Sequence, residues 1–188
     1  MNAPRIVVMG PSGSGKTAIG AALAVELAVA FVDADDLHPP ANVAKMSAGV
    51  PLDDDDRVPW LDIVGRTLAD LPGGGVMACS ALARRYRDRI RVAAPDALFV
   101  ELLVDRDELS RRMSVREHFM PLVLLDSQVA TLEHLGADER GFALANTGGV
   151  LEVAAAAFER LDYSGAADAP TGRAPADHTP DPDPRSSR

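Results

Sequence analysis

The sequence predicts a three-layer α/β fold, in which helices cover both faces of a central parallel sheet. Two observations support this prediction. Short apolar runs typical of buried strands alternate with longer helical patterns through most of the chain. In addition, the run Arg5 to Met9 is followed by a glycine-rich loop, a helix over Ala18 to Ala28 and a short strand over Ala30 to Val32. This order is a βαβ unit, which requires parallel strands and a right-handed crossover.

The other elements follow from hydrophobic periodicity and from glycine and proline at their ends. Helices are expected at 41–48, 57–71, 81–92, from 107 into 119, at 122–134 and at 151–161, and strands at 76–79, 97–104 and 142–145. Pro59 is expected in the first turn of its helix, where a missing N–H is tolerated. Residues 164–188 offer little to bury, so we expect a disordered tail after a single domain over 1–163.

Charge and cysteine content restrict the class of protein. The 188 residues carry a net charge of −9, which argues against general nucleic-acid binding because that function needs a basic face. No apolar run is long enough to span a membrane, and the first strand begins too early to leave room for a signal peptide. The single cysteine, Cys79, excludes an internal disulfide and indicates a reducing compartment. We therefore expect a cytoplasmic protein without a nucleic-acid or membrane partner.

The loop after the first strand matches G-x-x-x-x-G-K-[ST], the phosphate-binding P-loop. It reads Gly10, Pro11, Ser12, Gly13, Ser14, Gly15, Lys16 and Thr17. Glycines let the backbone N–H groups turn toward a polyphosphate, and the following helix presents its N-terminus to the same anion. Lys16 is expected to reach the β- and γ-phosphates of a nucleotide such as ATP, and Thr17 to bind Mg²⁺. The motif therefore predicts a nucleotide site.

Two carboxylates, Asp33 and Asp35, follow the second strand and lie on the same side of an extended segment. The carboxyl ends of parallel strands meet at the ligand-binding edge of the sheet. One carboxylate could order Mg²⁺, and the other could accept the proton of an attacking hydroxyl. The alternative is a pair of solvated loop carboxylates.

Arginines mark two further regions. Arg112 and Arg116 lie four apart, so on a helix they share one face and could belong to a lid over a transferring phosphate, at about 112–121. A surface salt-bridge face is an equally good interpretation. A run of five arginines, at 84, 85, 87, 89 and 91, could bind an anionic substrate, although such runs are more often solvated helix faces.

Three longer stretches resemble signatures of the gluconokinase family, of the thermoresistant bacterial type. The first is Asp33-Ala34-Asp35-Asp36-Leu37-His38-Pro39, with Asn42, Lys45-Met46 and several positions of 49–61 after it. The second is Cys79-Ser80-Ala81-Leu82, followed by Tyr86-Arg87-Asp88, and the third is His118-Phe119-Met120-Pro121, followed by Ser127-Gln128 and Thr131-Leu132-Glu133. The resemblance covers roughly Ile6 to Leu161 and not the tail.

The resemblance implies a P-loop kinase-like fold with a helical lid, similar to shikimate and nucleoside-monophosphate kinases. It implies transfer of a phosphoryl group from ATP, with Mg²⁺, to the 6-hydroxyl of D-gluconate, and a homodimer. Asp35 becomes the candidate base, Asp33 a metal ligand, and Lys16, Arg112 and Arg116 the candidates for stabilising the transferred phosphoryl group. The implied substrate-binding residues are Asp35, His38, Arg57, Ser80, Arg84, Arg87 and His118.

The chain departs from the family pattern at four places. Ala83 stands where the family usually has lysine, so that Arg84 would have to supply that charge. Ala34 replaces a glycine and is expected to add a methyl group beside the γ-phosphate. Glu117 replaces a frequent glycine in the lid, and His134-Leu135-Gly136 lacks the usual proline. These departures could lower activity or shift substrate preference.

Two other functions remain open from the sequence. One is a related kinase for another sugar acid or for a shikimate-like acid. The other is a catalytically weak nucleotide-binding sensor. A GTPase is disfavoured, since the chain has no guanine-reading N-K-x-D stretch.

Overall fold

The structure, a computed structural model, describes residues 4–115 and 122–167. Within these ranges the strands are β1 (Arg5–Met9), β2 (Ala30–Asp33), β3 (Gly75–Ala78), β4 (Leu98–Leu103) and β5 (Gly141–Ala145). They form one sheet in the order β2-β3-β1-β4-β5, with every neighbouring pair parallel. The central parallel sheet predicted from the sequence is therefore confirmed.

The described helices are α1 (Lys16–Glu26), α2 (Pro40–Ser47), α3 (Asp54–Asp70), α4 (Arg84–Ala93), α5 (Arg106–Val115), α6 (Leu122–Thr131) and α7 (Val150–Ala167). A short 3-10 turn, Ala34–Leu37, follows β2 directly. Among the described residues, no helix combines the length and the apolar character that a membrane span requires.

Two separate hydrophobic clusters cover the two faces of the sheet, because successive strand residues point to opposite sides. On one face, Val7 and Met9 of β1 belong to a cluster with Trp60 and Leu61 of α3 and Ile90 of α4. The other face is covered by α1 and α7. There Ile6 and Val8 of β1 share a cluster with Ile19, Leu23, Ala154 and Ala157. Helices therefore cover both faces of the sheet, and the edge formed by the carboxyl ends of the strands stays open.

Helix α3 begins earlier than its sequence pattern suggests, because aspartates cap it. The Asp53 carboxylate accepts the Asp56 N–H at 2.9 Å, and the Asp56 carboxylate accepts the Asp53 N–H at 3.1 Å. This reciprocal capping box satisfies N–H groups that a helix N-terminus otherwise leaves unpaired. Pro59 consequently lies inside α3 and not in its first turn, so that prediction is wrong.

Other boundaries differ for local reasons. Helix α4 begins at Arg84, because Ala81 before it adopts a left-handed backbone with a φ of 41°. Helix α6 ends at Thr131, because the Glu133 N–H turns to donate to the Leu82 carbonyl at 2.8 Å. Helix α7 continues to Ala167, so residues 164–167 are helical, while 168–188 lie outside the described residues. The lid residues Arg116, Glu117, His118 and Pro121 also lie outside them.

Candidate active site

The P-loop connects β1 to α1 at the open edge of the sheet. Gly13 and Gly15 have φ angles of 82° and 90°, which side chains with a Cβ rarely adopt, and this explains the glycines there. Gly15 precedes Lys16, the first residue of α1, so that the helix N-terminus faces the loop. Lys16 Nζ donates to the Pro11 carbonyl at 3.1 Å, which holds the ammonium over the loop. These residues fit a polyphosphate, because the N-terminus of α1 and one cation meet at this loop.

The hydroxyl and carboxylate predicted to bind a metal ion lie in direct contact. Thr17 Oγ1 donates to Asp33 Oδ2 at 2.7 Å. The second carboxylate oxygen, Asp33 Oδ1, accepts the Asp35 N–H at 3.1 Å and thereby starts the 3-10 turn that follows β2. Hard oxygen ligands of this kind are those that Mg²⁺ prefers, so Thr17 and Asp33 fit such an ion.

Asp35 lies in the same turn and lines a pocket together with Lys16. Asp35 is reached by solvent through the open side of the pocket, and protein atoms enclose its carboxyl on the other sides. This partial burial raises the pKa of the Asp35 carboxyl, and the nearby Asp33 and Asp36 carboxylates raise it further, against the opposing effect of Lys16. A carboxylate with a raised pKa beside a phosphate-binding lysine is a stronger base than an ordinary aspartate.

The pocket lies between the P-loop, α3 and the loop after β3. Besides Lys16 and Asp35, the residues that line it include Ser12, His38, Arg57, Trp60, Ser80, Leu82, Tyr86 and Gln128. The His38 and Trp60 rings stack, with centroids 4.1 Å apart and planes inclined by 14°. Trp60 is itself fixed, because its Nε1 donates to the Ala34 carbonyl at 2.9 Å. The pocket therefore combines an aromatic wall with polar and charged groups.

His38 is neutral at physiological pH. Burial and, to a lesser extent, the charge of the nearby Arg57 together lower its pKa to about 4. An uncharged imidazole can hydrogen-bond a hydroxyl group without adding a second positive charge to a pocket that already contains Arg57 and Lys16.

Arg57 is held at the pocket wall by Tyr86. Its Nη1 donates to the Tyr86 hydroxyl oxygen at 3.1 Å, and that hydroxyl donates in turn to Asp54 Oδ1. Asp54, in the first turn of α3, also accepts from Arg85. The guanidinium of Arg57 is thus oriented by a neutral phenol, while the balancing carboxylate is 4.0 Å away.

Arg87 does not reach the pocket, contrary to its prediction as a substrate-binding residue. Its side chain is fully buried and forms two short bonds to Glu139, at 2.7 and 2.6 Å. Its Nη1 also donates to the Ala81, Leu82 and Glu133 carbonyls. The ion pair between Arg87 and Glu139 could not be inferred from sequence, because the two residues are 52 positions apart. The structure thus gives Arg87 the role of joining α4 to two loops.

Arg84, also predicted to bind substrate, points to a different partner. Its guanidinium pairs with Asp138 at 2.6 and 3.0 Å on the protein surface, and it does not line the pocket.

Two of the residues that depart from the family pattern lie in the protein core. Both Ala34 and Ala83 are fully buried in the hydrophobic cluster around Trp60. The expectation that the Ala34 methyl group lies beside the γ-phosphate is therefore wrong.

Arg112 lies on the other side of the P-loop, in a second cavity. Its Nε donates to Glu108 at 2.7 Å and its Nη2 to the Asn146 carbonyl at 3.2 Å. Gly13, Gly15 and the loop after β5 line the same cavity. The Asn146 side chain donates to the Ser14 carbonyl at 2.7 Å and so ties this loop to the P-loop. Sequence reasoning missed Asn146, since a lone asparagine after a strand carries no motif.

Gln128 was also missed as a contact of the P-loop. Its Oε1 accepts the Ser12 N–H at 2.7 Å, so α6 touches the loop directly. Tyr86 and Trp60 belong to the recognised motifs, but only the folded chain shows that they hold Arg57 and His38. Predicted residues that do meet in one pocket are Ser12, Lys16, Asp35, His38, Arg57 and Ser80.

Known proteins resemble this chain in sequence and in fold. The sequence model of the shikimate kinase family matches residues 12–147. The gluconokinase of Gluconobacter oxydans is 48% identical over 71% of this chain and 78% of its own length. The thermosensitive gluconokinase of Escherichia coli is 44% identical over 71% of this chain and 74% of its own. A crystal structure of a gluconokinase from Sinorhizobium meliloti superposes with a TM-score of 0.77 at 43% identity, covering 87% and 95% of the two chains. The predicted fold class is thereby confirmed.

Proposed function

This chain belongs to the gluconokinase family, and we propose that it transfers the γ-phosphoryl group of ATP to the 6-hydroxyl of D-gluconate. The products are 6-phospho-D-gluconate and ADP. The observation that supports this most directly is the single pocket in which Lys16, Asp35, His38 and Arg57 meet beside the P-loop. The pocket offers a base, a phosphate-binding cation, a neutral hydrogen-bonding ring and a second cation. Phosphorylation of a sugar acid requires these four kinds of group, since ATP carries the phosphates and the acid carries a reacting hydroxyl, further hydroxyls and a carboxylate.

In the proposed reaction, Asp35 accepts the proton of the 6-hydroxyl as the oxygen attacks the γ-phosphorus. The bond from the γ-phosphorus to the oxygen it shares with the β-phosphate then breaks, and ADP leaves. Lys16 and the P-loop N–H groups stabilise the negative charge on the phosphoryl oxygens, which is the largest catalytic contribution in a loose transition state. The raised pKa of the Asp35 carboxyl supports its assignment as the base.

The other groups would bind rather than react. The Arg57 guanidinium would pair with the gluconate carboxylate, and His38 and Ser80 with its hydroxyls. Thr17 and Asp33 would hold Mg²⁺, which supplies charge neutralisation to the phosphates when bound. The adenine ring would occupy the second cavity, between Arg112 and the loop after β5. Arg116 and His118 remain candidates for the lid, from the resemblance alone.

We also propose a homodimer in the cytoplasm. The dimer rests on the resemblance to the family, and the compartment on the content of one cysteine, Cys79. Light scattering on the purified chain tests the first proposal. A monomer at all concentrations would overturn it.

The activity is tested by an ATP-consumption assay with a panel of acids that includes D-gluconate, other sugar acids and shikimate. We expect turnover with gluconate, and ³¹P and ¹³C NMR of the product should place the phosphate on carbon 6. Lys16→Ala is the control that excludes a contaminating kinase. Absence of gluconate turnover, or preference for another acid, would overturn the proposed substrate.

A further inference from the structure

Asn42 is a buried polar residue that touches the candidate pocket only through another side chain. It lies in α2, and only 4% of its surface is exposed. Its side-chain nitrogen Nδ2 lies 3.0 Å from the Asp56 carbonyl oxygen. A backbone carbonyl can only accept a hydrogen bond, so the atom of Asn42 at this position must be the amino group and not the oxygen. The contact to Asp56 therefore fixes the orientation of the amide.

The same amino group also faces His38. Asn42 Nδ2 lies 3.4 Å from His38 Nδ1, and an amino group carries two hydrogens, one for each partner. A ring nitrogen that accepts from this group cannot carry a proton. In a neutral imidazole the proton then lies on the other nitrogen, Nε2. The Asp56 carbonyl thus orients the Asn42 amide, and the Asn42 amide determines which tautomer His38 adopts.

The remaining surroundings restrict the ring further. One face of His38 is stacked on Trp60, and Nδ1 is directed to Asn42. His38 also lines the pocket that contains Asp35 and Arg57. The polar edge left for the pocket is thus the one that carries Nε2.

We propose that Asn42 is a positioning residue that holds neutral His38 in the Nε2–H tautomer, so that Nε2 donates a hydrogen bond to a hydroxyl oxygen of the substrate. This inference rests on the proposed function for the identity of the substrate. The assignment of the tautomer itself does not. Because the ring offers a donor and no acceptor to the pocket, it recognises oxygens that can accept.

The variant that tests this proposal is Asn42→Asp, which has nearly the same shape. Its carboxylate presents only acceptors to Nδ1, so at a pH high enough to keep the ring neutral beside this carboxylate, the proton moves to Nδ1 and Nε2 becomes an acceptor. In the wild type, ¹⁵N NMR of histidine-labelled protein should show His38 Nδ1 unprotonated and Nε2 protonated. In Asn42→Asp it should show Nδ1 protonated. A wild-type ring with the proton on Nδ1 would overturn the proposal, whether or not the variant folds.

Kinetics supply the second readout. Loss of one neutral hydrogen bond should raise KM for gluconate about 2- to 12-fold, with kcat and KM for ATP nearly unchanged. In a His38→Ala background, Asn42→Asp should have no further effect on KM, because its route to the substrate is gone. An equal effect in both backgrounds would mean that Asn42 acts through the fold, and this would overturn the proposal. If the wild type fails to phosphorylate gluconate, the proposed function falls, while the nitrogen shifts still decide the tautomer.

Discussion

Arg57 and Arg87 stand in neighbouring family motifs, and the folded chain uses them in opposite ways. Arg57 lines the pocket and donates to a neutral phenol, while its nearest carboxylate is 4.0 Å away. Arg87 is fully buried, and bonds to Glu139 and to backbone carbonyls engage its guanidinium. A guanidinium that faces a cavity with an incomplete set of acceptors can still bind an anion, whereas one whose charge is neutralised inside the protein cannot.

The same difference appears in the carboxylates of the two regions. In the pocket, burial raises the pKa of Asp35, so the protein makes this group more basic at a cost in stability. Beneath α4, the bonds from Arg87, together with weaker ones from the Gly136 N–H and Arg91, lower the pKa of Glu139 to about 2, so the protein stabilises its ionised form. The pocket region therefore keeps its charged groups available for chemistry, and the region under α4 uses them to hold loops together. Each of the following substitutions should affect one region and spare the other.

The largest effect on activity is expected from Asp35→Asn. Loss of a general base typically lowers kcat about 10²- to 10⁴-fold, while gluconate should still bind. Since the raised pKa means that folding disfavours the ionised carboxyl, the free energy of unfolding at pH 7 should stay the same or increase. Steady-state kinetics and urea denaturation measure the two quantities.

The matched control is Asp36→Asn, the exposed neighbour in the same turn. It should leave kcat close to that of the wild type. Undiminished turnover in Asp35→Asn would show that the base has been assigned wrongly.

The largest effect on stability is expected from Arg87→Met. Removal of one partner leaves the buried Glu139 carboxylate with Arg91 as its remaining ion-pair partner, and breaking such a pair typically costs about 3–5 kcal/mol. Chemical denaturation measures this loss. Arg84→Gln on the same helix is the control, and it should change stability much less because solvent screens its exposed pair with Asp138.

The pH dependence of stability gives an independent test of the Arg87 pair. The pKa of Glu139 lies at about 2 in the folded state and at an ordinary 4.5 otherwise. Its stabilisation is therefore complete above pH 4.5 and is lost as the pH falls from 4.5 toward 2. Glu139→Gln should be less stable than the wild type at pH 7 and should show a flatter loss through this acid range. Parallel curves for the two proteins would contradict the pairing.

The contrast between the two arginines also shows how far the sequence could predict the site. The P-loop, Thr17, Asp33 and Asp35 were located correctly because their spacing within one βαβ unit already determines that they meet at one edge of the sheet. Arg87 could not be assigned from its motif. Its partner, Glu139, follows α6 by several residues and carries no pattern of its own.

Local capping explains why α3 begins earlier than the sequence-based prediction. The aspartates at 53–56 precede the predicted start of this helix at residue 57, yet Asp53 and Asp56 cap α3, and Asp54 orients Tyr86. The capping advanced the start of α3 and moved Pro59 into the helix interior. Hydrophobic periodicity depends only on apolar positions, so it predicts too late a start for a helix whose first turn is polar.

Arg57→Gln should weaken gluconate binding while sparing the fold. Loss of a charged hydrogen bond to the substrate carboxylate corresponds to about 1.5–3 kcal/mol, or roughly a 10- to 150-fold increase in KM. We expect kcat to change little, because this contact exists in the ground state as well as in the transition state. Arg89→Gln, on the outer face of α4 beside Asp62, is the control for loss of one positive charge. A normal KM in Arg57→Gln would mean that another cation binds the carboxylate.

The smallest effect is expected from Tyr86→Phe, which keeps the ring and removes only the hydroxyl. Arg57 Nη1 then loses the oxygen that orients it at 3.1 Å, and Asp54 loses its phenolic donor. Because the hydroxyl only orients Arg57 and the guanidinium itself stays in the pocket, KM for gluconate should rise about 2- to 12-fold with kcat unchanged. In an Arg57→Gln background the same substitution should have no further effect on KM, since Tyr86 acts on the substrate only through Arg57. An undiminished effect in that background would show that Tyr86 contacts the substrate directly, and the pocket would then contain one more binding residue than the geometry assigns to it.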